Sequence, residues 1–345
     1  MLAYILKRVL LMIPTLLGAL TITFVVMQFV PGGPVEQILA EARAANPAGD
    51  STGYKAGRDL DAKQREELMK LYGFDKPAHV RYFEMIKSYL QFDLGRSFLQ
   101  NKGVWELIKE KLPVSISLGL WTFLISYIVS IPLGVAKAVR EGSRFDAFTT
   151  FLVLFGYAIP GFVLGVLLIV LFAGGTFFDW FPLRGLTSDN WEELSLLGKI
   201  KDYFWHLTLP LICLVIHQFA VVTLLTKNTF VEEIRKQYVM VARAKGLSQQ
   251  RVLYKHIFRN ALIPLVTGFP AAFIGAFFAG SVLIETLFSL DGLGLLSYES
   301  VVRRDYPVVL GSLYLFTLIA LVVKLVSDIL YTVVDPRVQF GAAGK

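Results

Sequence analysis

KNTFVEEIRKQYVMVARAKGLSQQRVLYKHIFRNALIP, running from Lys227 to Pro264, lies between two long apolar runs and decides how the rest of the chain is read. It carries eight basic residues (Lys227, Arg235, Lys236, Arg243, Lys245, Arg251, Lys255 and Arg259) against Glu232 and Glu233. A short basic connection between membrane spans belongs on the cytoplasmic side. Thr229-Phe230-Val231-Glu232 has the spacing of a capping box and predicts the start of a helix; Gly246 predicts its end. Ser248 is placed to cap a second helix that runs toward Arg259-Asn260-Ala261-Leu262-Ile263-Pro264. A membrane protein with a stiff, charged helical pair on its inner face is expected to dock something soluble there.

Outward from this insert, the composition is that of a membrane protein. Hydrophobic residues make up 55% of the 345 residues and charged residues 18%, with a mean hydropathy of +0.58. Soluble domains hold roughly 25% charged residues, so the apolar excess here must face lipid. The net charge of +7 is largely that of the insert, so topology accounts for the basic pI and a nucleic-acid partner is not expected. The single cysteine, Cys213, sits among apolar neighbours and reads as a buried, inert thiol. The four histidines lie far apart, without metal-ligand spacing.

Six apolar runs reach the ~20 residues that a bilayer crossing needs. They lie near Val9–Val30, Pro113–Val139, Phe148–Ala173, Leu207–Thr226, Leu262–Leu287 and Val308–Tyr331. Lys7-Arg8 before the first run predicts an N-terminus held inside, and the run is too long for a signal-peptide core. Lys137, Arg140 and Arg144 outweigh Glu141 and Asp146 between runs two and three, as expected inside. Asp179, Asp189, Glu192, Glu193 and Asp202 outweigh Arg184, Lys199 and Lys201 between runs three and four, as expected outside. Both termini are therefore expected in the cytoplasm. The long connection from Pro31 to Leu112 then lies outside. Ala40–Gly57 within it reads as a mobile loop, whereas Leu68, Leu71, Tyr72, Phe74, Tyr82, Phe83, Ile86, Tyr89, Leu90 and Phe92 recur at helical spacing and predict a small helical cap.

The fold class expected is all-α and polytopic, with six transmembrane helices, a cytoplasmic coupling insert and a periplasmic helical cap. Its parts are 1–30 (inner end and first span), 31–112 (outer loop and cap), 113–331 (five-helix core with the insert at about 229–262) and 332–345 (inner tail). Spans two to five hold almost no ionisable residue at their centres, so neither a proton relay nor an ion site is evident. Asp328 reads as an interfacial carboxylate near Arg337. Gly156, Tyr157, Pro160 and Gly161, with Gly275, Gly280 and Ser281, fit either close packing or a bent wall. Tyr157, Pro160, Phe162, Ser281 and Glu285 are the candidate wall or gate residues. There is no Gly-x-x-x-x-Gly-Lys-Ser/Thr phosphate cradle, and Gly292-Leu293-Gly294 reads as a turn. The chain is expected to have no catalytic residue, bound metal or cofactor of its own. A carrier without an ion site or an ATP site must borrow its energy. A self-contained channel and a membrane scaffold that docks a signalling partner are the readings of other classes.

Val241-Ala242-Arg243-Ala244-Lys245-Gly246, followed by Arg259-Asn260-Ala261-Leu262-Ile263-Pro264, resembles the coupling-helix motif of ABC importer permeases in the oligopeptide/dipeptide/nickel branch. Met240 and Val241 stand where the general motif has Glu and Ala, while Ala242 and Gly246 match. The likeness extends through Leu112-Pro113-Val114-Ser115, Ile131-Pro132-Leu133-Gly134, Ile284-Glu285, Arg304-Asp305-Tyr306-Pro307 and Asp335-Pro336-Arg337. Pro31-Gly32-Gly33-Pro34-Val35, Tyr72-Gly73-Phe74-Asp75-Lys76-Pro77, Ser143-Arg144-Phe145-Asp146 and Phe181-Pro182-Leu183-Arg184-Gly185-Leu186 are similar to the Yej-type importers of oligopeptides and the antibiotic microcin C. The resemblance implies a homologous second permease, two ATPase domains or subunits that hold ATP and Mg2+, and a periplasmic peptide-binding protein. Thr229, Glu232, Tyr238, Ala242, Arg243, Ala244, Lys245 and Gly246 would couple to an ATPase, and Ala40–Gly57 would reach the binding protein. A dipeptide or nickel-complex permease is the alternative within the branch.

Overall fold

The computed structural model describes residues 2–30, 33, 35–36, 65–70, 73–175, 177–278 and 282–334. The whole of the expected loop 40–57, Gly280, Ser281, Leu71, Tyr72, the Asp335-Pro336-Arg337 motif and most of the tail lie outside these residues. Among the described residues the chain is helical, without a strand; Arg96 and Gly103 form an isolated bridge. Four helices among the described residues have the length and apolarity to cross a membrane, or five spans if a sharply bent helix pair counts as one. The expected fifth run is helical over Ile263–Phe278 and Val282–Leu287, with 279–281 between them outside the described residues.

The chain divides into two compact units, residues 1–111 with 296–321 and residues 112–295 with 322–345. The first contains α1 (Leu2–Gln28) and α2 (Ala78–Leu90). Most of α1 is exposed, as a helix bathed in lipid should be, and among its described side chains only Leu20 and Phe24 are buried. α2 follows Pro77, whose fixed φ of −56° suits a helix entrance. It packs on α1 through Tyr82, which meets Phe24 edge-on at 5.3 Å and shares a 2.6 Å hydrogen bond with Thr21. Tyr89, at its other end, lies 5.0 Å from Tyr314. Asp305 accepts from Ser97 Oγ and from the Phe98 N–H, which ties the 96–103 turn to the chain entering the last helix.

The second unit is built on α3 (Val104–Val139, its first turns in the other unit), the pair α4 (Arg144–Ala158) and α5 (Gly161–Phe172), and α6 (Leu196–Ile234). The expected third span is not one rod: α4 and α5 meet at 89°. Pro160 offers no N–H, and its ring forces Ile159 to an extended ψ of 118°, so helical hydrogen bonding stops there. The glycines around the bend also serve close packing. A Cβ on Gly161 would lie 3.0 Å from the Cys213 carbonyl, and one on Gly156 would lie 2.9 Å from Ile216. α6 is longer than its apolar run; at about 1.5 Å per residue its 39 residues extend about 58 Å, well beyond a ~30 Å hydrocarbon core. Leu207, Leu209, Leu211 and Cys213 on α6 form one apolar cluster with Leu118, Ile284 and Phe288. Phe230, at the far end of α6, forms another with Val135 and Ala138 of α3 and with the insert.

Then come α7 (Gln237–Ala244), α8 (Gln249–Arg251), a π-helical stretch (Val252–Ile257) and α9 (Phe258–Ala261). After these run α10 (Ile263–Phe278), α11 (Val282–Leu287), α12 (Leu293–Val302) and α13 (Tyr306–Val334), the last two crossing between units.

Candidate docking site on the basic insert

The insert does not begin where the capping box predicts. Thr229 lies inside α6, where its Oγ1 donates to the Thr226 carbonyl at 3.0 Å. Glu232 lies in the last turn of α6 and is exposed. The helix continues because Phe230, Val231 and Ile234 all pack into the apolar cluster beneath the insert, and burial outweighs a possible cap. The chain breaks at Arg235 and Lys236 instead, with Lys236 extended at φ −71°, ψ 150° and no side-chain cap on α7.

The end of the helix is as expected. Gly246 adopts φ +76°, its N–H bonds the Arg243 carbonyl at 2.9 Å, and the Leu247 N–H bonds the Ala242 carbonyl at 3.4 Å. Those two bonds form a Schellman stop, which needs a residue that enters the left-handed region without strain. Ser248 accepts from the Arg251 N–H at 3.4 Å, so the second helix begins at the predicted cap. The π-helical stretch puts Val252 and Ile257, five residues apart, into the same core at 1% and 2% exposure.

α7 has two unlike faces. Val239 and Ala242 are buried in the cluster with Phe230, Val135 and Ala138. Arg243, Ala244, Lys245 and Gly246 are exposed, as are Met240 at 59% and Val241 at 52%. Two exposed apolar side chains beside two cations make a surface suited to another protein. Ala242 therefore faces inward, away from any partner, while Met240 and Val241 were not among the residues chosen from sequence. The signal that could have found them is the i, i+3 pairing of Val239 with Ala242, which turns positions 240 and 241 outward. Tyr238 is half-buried and donates to Glu233 Oε2 at 2.7 Å; burial, then that bond, pushes its phenol up to about 12.

Ionic ties hold the insert to the α3–α4 turn. Arg235 pairs with Glu141 at 2.9 Å on the surface. Beneath it, Lys227 meets Asp146 Oδ2 at 2.7 Å, and Lys137, fully buried, meets Asp146 Oδ1 at 3.1 Å. Lys137 also donates to the Asp146 carbonyl, Thr149 Oγ1 and Thr150 Oγ1 at 3.0, 2.8 and 2.7 Å. Lys137, Asp146 and Lys227, counted from sequence only for their charge, thus form a fixed knot that joins α3, α4 and α6.

Of the candidate wall residues, Tyr157, Pro160 and Phe162 lie on the α4–α5 pair and Glu285 on α11. Tyr157 stacks on His217 of α6 at 4.5 Å, Pro160 makes the bend, and Phe162 is exposed on the first turn of α5. Ser281 lies outside the described residues. Glu285 is fully buried, accepts the Leu295 N–H at 2.8 Å and, with Ser115 accepting from the Leu293 N–H at 2.8 Å, caps the start of α12. A Cβ at Gly292 would lie 2.7 Å from that carboxylate, so the Gly292 turn is shaped around it. Asp328 faces Lys324 at 4.0 Å, one turn earlier.

Residues 130–340 match the family model described as a binding-protein-dependent transport system inner membrane component. The chain is 55% identical to the peptidoglycan transport system permease protein YejB of Agrobacterium fabrum, over 98% of each chain. It is 52% identical to the inner membrane ABC transporter permease protein YejB of Escherichia coli O157:H7, over 98% of this chain and 99% of the relative. Identity to the oligopeptide transport system permease protein AppB of Bacillus subtilis is 35%, over 99% of this chain and the whole of the relative.

Proposed function

Because the chain belongs to the family of binding-protein-dependent transport system inner membrane components, we propose that it is the permease subunit of an ATP-driven importer of oligopeptides. The observation that carries this reading is the 55% identity to a transport permease over 98% of both chains. Catalysis of ATP hydrolysis then belongs to separate subunits, which supply ATP and Mg2+ sites, while this chain contributes half of the pathway beside a homologous second permease. A periplasmic binding protein delivers cargo on the outer side. Six spans rest on the apolar runs, with α10 and α11 together as the fifth; both termini in the cytoplasm rest on the charge of the short connections, and the outer cap on apolar residues at helical spacing.

The exposed face of α7 (Met240, Val241, Arg243, Ala244) is the ATPase-docking surface in this scheme. Its buried face is welded by Val239 and Ala242 to α3 and α6. A push on the exposed face therefore moves the inner ends of two spans rather than a loop. Closure and reopening of the ATPases would shift the permease between outward- and inward-open populations. The bent α4–α5 pair, held on α6 by Gly156 and Gly161, is the part of the wall placed to change shape.

The name of the Agrobacterium relative favours peptidoglycan fragments, which carry peptide stems, as a second cargo; the Yej resemblance adds microcin C. The test is uptake of a labelled oligopeptide by cells lacking the native permease and given wild type or Met240→Glu/Val241→Glu, with membrane insertion and ATPase co-purification measured in both. Lost uptake with the ATPases detached from an inserted variant supports the scheme. ATP-dependent uptake unchanged, or no peptide uptake by wild type, overturns it.

A further inference from the structure

The first unit carries an open cavity of about 630 Å3 that has no part in the proposed docking of ATPases. That is within the roughly 300–1,000 Å3 of small-molecule sites. Phe24 and Met27 of α1, Arg81, Met85 and Tyr89 of α2, and Leu310 of α13 supply much of its wall. α1 and α13 are both long and apolar enough to span a bilayer, so the cavity lies at the ends of two spans, near head-group depth.

Charged side chains around the cavity are engaged, with one exception. Glu84 binds Lys76 at 2.7 Å, Asp93 accepts the Gly95 N–H at 3.0 Å, and Arg96 donates to the Asn101 carbonyl at 2.8 Å. Arg81 reaches only a neutral acceptor, the Gln28 amide oxygen at 2.7 Å, and its guanidinium lies over the Phe74 ring at 4.9 Å. Its Nε–H is buried without an acceptor among the described residues. A buried N–H on a charged group is costly to leave unmet, and the guanidinium fork suits an anion with two oxygens. The apolar wall beside it calls for a ligand with an apolar body.

We propose that this cavity binds a phospholipid, with its phosphate against Arg81 and the start of its acyl chains against Phe24, Met27 and Leu310. A lipid is the favoured source of that chemistry because Val25, Val26 and Phe29, at the same end of α1, are already exposed where the bilayer would be. The inference rests on α1 and α13 spanning the membrane and is independent of the cargo, so a permease for another substrate would keep it.

Full-length protein, purified with the subunits that accompany it, is titrated with dioleoylphosphatidylglycerol and followed by native mass spectrometry. Dioleoylglycerol, which has the same chains without phosphate, and inorganic phosphate are parallel arms. One tightly held phospholipid per chain is expected, with no comparable dioleoylglycerol adduct and no displacement by millimolar phosphate. Arg81→Gln should weaken binding at least tenfold. Met85→Trp, which fills the cavity and leaves Arg81 in place, should do the same and decides the matter if Arg81→Gln does not fold. Arg65→Gln, at a guanidinium paired with Glu36 and not lining the cavity, should bind as wild type. Equal binding of dioleoylglycerol, undiminished binding by Met85→Trp, or displacement of the lipid by phosphate would overturn the proposal.

Discussion

Asp146→Ala should be the most damaging single change in the ionic knot, and the structure sets the scale. Lys137 is fully buried and Asp146 carries its only carboxylate contact among the described residues; the Thr149 and Thr150 hydroxyls satisfy its donors but not its charge. Removing one partner of a buried pair costs about 3–5 kcal/mol, because the other charge stays behind uncompensated. Lys227 adds little to this, since its side chain is 18% exposed and can turn toward water. Lys227→Ala leaves Asp146 with Lys137 and the Gly142 N–H, so about 1 kcal/mol is expected. Lys137→Met/Asp146→Ala removes both buried charges and should cost far less than the two single changes summed. An unfolding entropy of roughly 2.1 cal/mol/K per residue over the whole chain converts 3–5 kcal/mol into about 4–7 °C. Membrane helices persist on unfolding, so the true entropy is smaller and the shift larger. The assay is thermal unfolding in detergent at one scan rate, followed by tryptophan fluorescence. If Asp146→Ala loses no more than Lys227→Ala, or the double variant equals the sum of its parts, the knot does not work as described.

Three further outcomes are expected. Gly246→Ala should cost about 1–2 kcal/mol from left-handed strain alone, since nothing lies within 4 Å of the added Cβ, and Gly246→Asn should cost less; equal midpoints for both would reject the Schellman reading. Pro160→Ala restores an N–H and frees Ile159 to be helical, so spin labels at the far ends of α4 and α5 should move apart; an unchanged distance means the bend is held by packing on α6. The Tyr238 phenol is raised above its ordinary 10.0, so its contribution to stability is complete below pH 10 and fades as pH climbs toward 12. The stability gap between wild type and Tyr238→Phe, from denaturation at stepped pH, should narrow over that window; a constant gap counts against the Tyr238–Glu233 bond.

The family and the helical, membrane-spanning character were legible because they rest on long, redundant signals: apolar runs, turn residues and motif order along the whole chain. The Gly246 stop and the Ser248 cap were legible for a different reason, each being a local rule that one residue type satisfies. Thr229 misled because its spacing to Glu232 is local while the decision was not. Phe230, Val231 and Ile234 extend the helix by packing against α3, which no window around Thr229 reveals. Pro160 was noticed, but sequence could not separate close packing from a bend, and the structure uses both. Lys137 and Asp146 were counted as opposing charges of one short connection, and Lys227 lies 81 residues beyond Asp146, so a charge count by loop could not show that the three meet. Glu285 shows the same limit: a carboxylate at a span's end looks available until the turn at Gly292–Leu295 closes over it.

α6 belongs to two cores at once. Leu207 to Cys213 anchor the half beside α5, and Phe230 to Ile234 anchor the half beneath the insert. The two anchors are about twenty residues apart on one helix, a separation of about 30 Å at 1.5 Å per residue. A tilt of about 5° about one anchor would carry the other by about 2.5 Å, enough to unseat a side chain from its socket, since close-packed interfaces tolerate little sliding. Pro210 lies inside the first anchor, and the helix runs unbroken from there to the second. The geometry is that of a crank: rotation applied at the insert arrives at the α4–α5 elbow undiminished in angle, and any compliance in the linkage lies at Pro210.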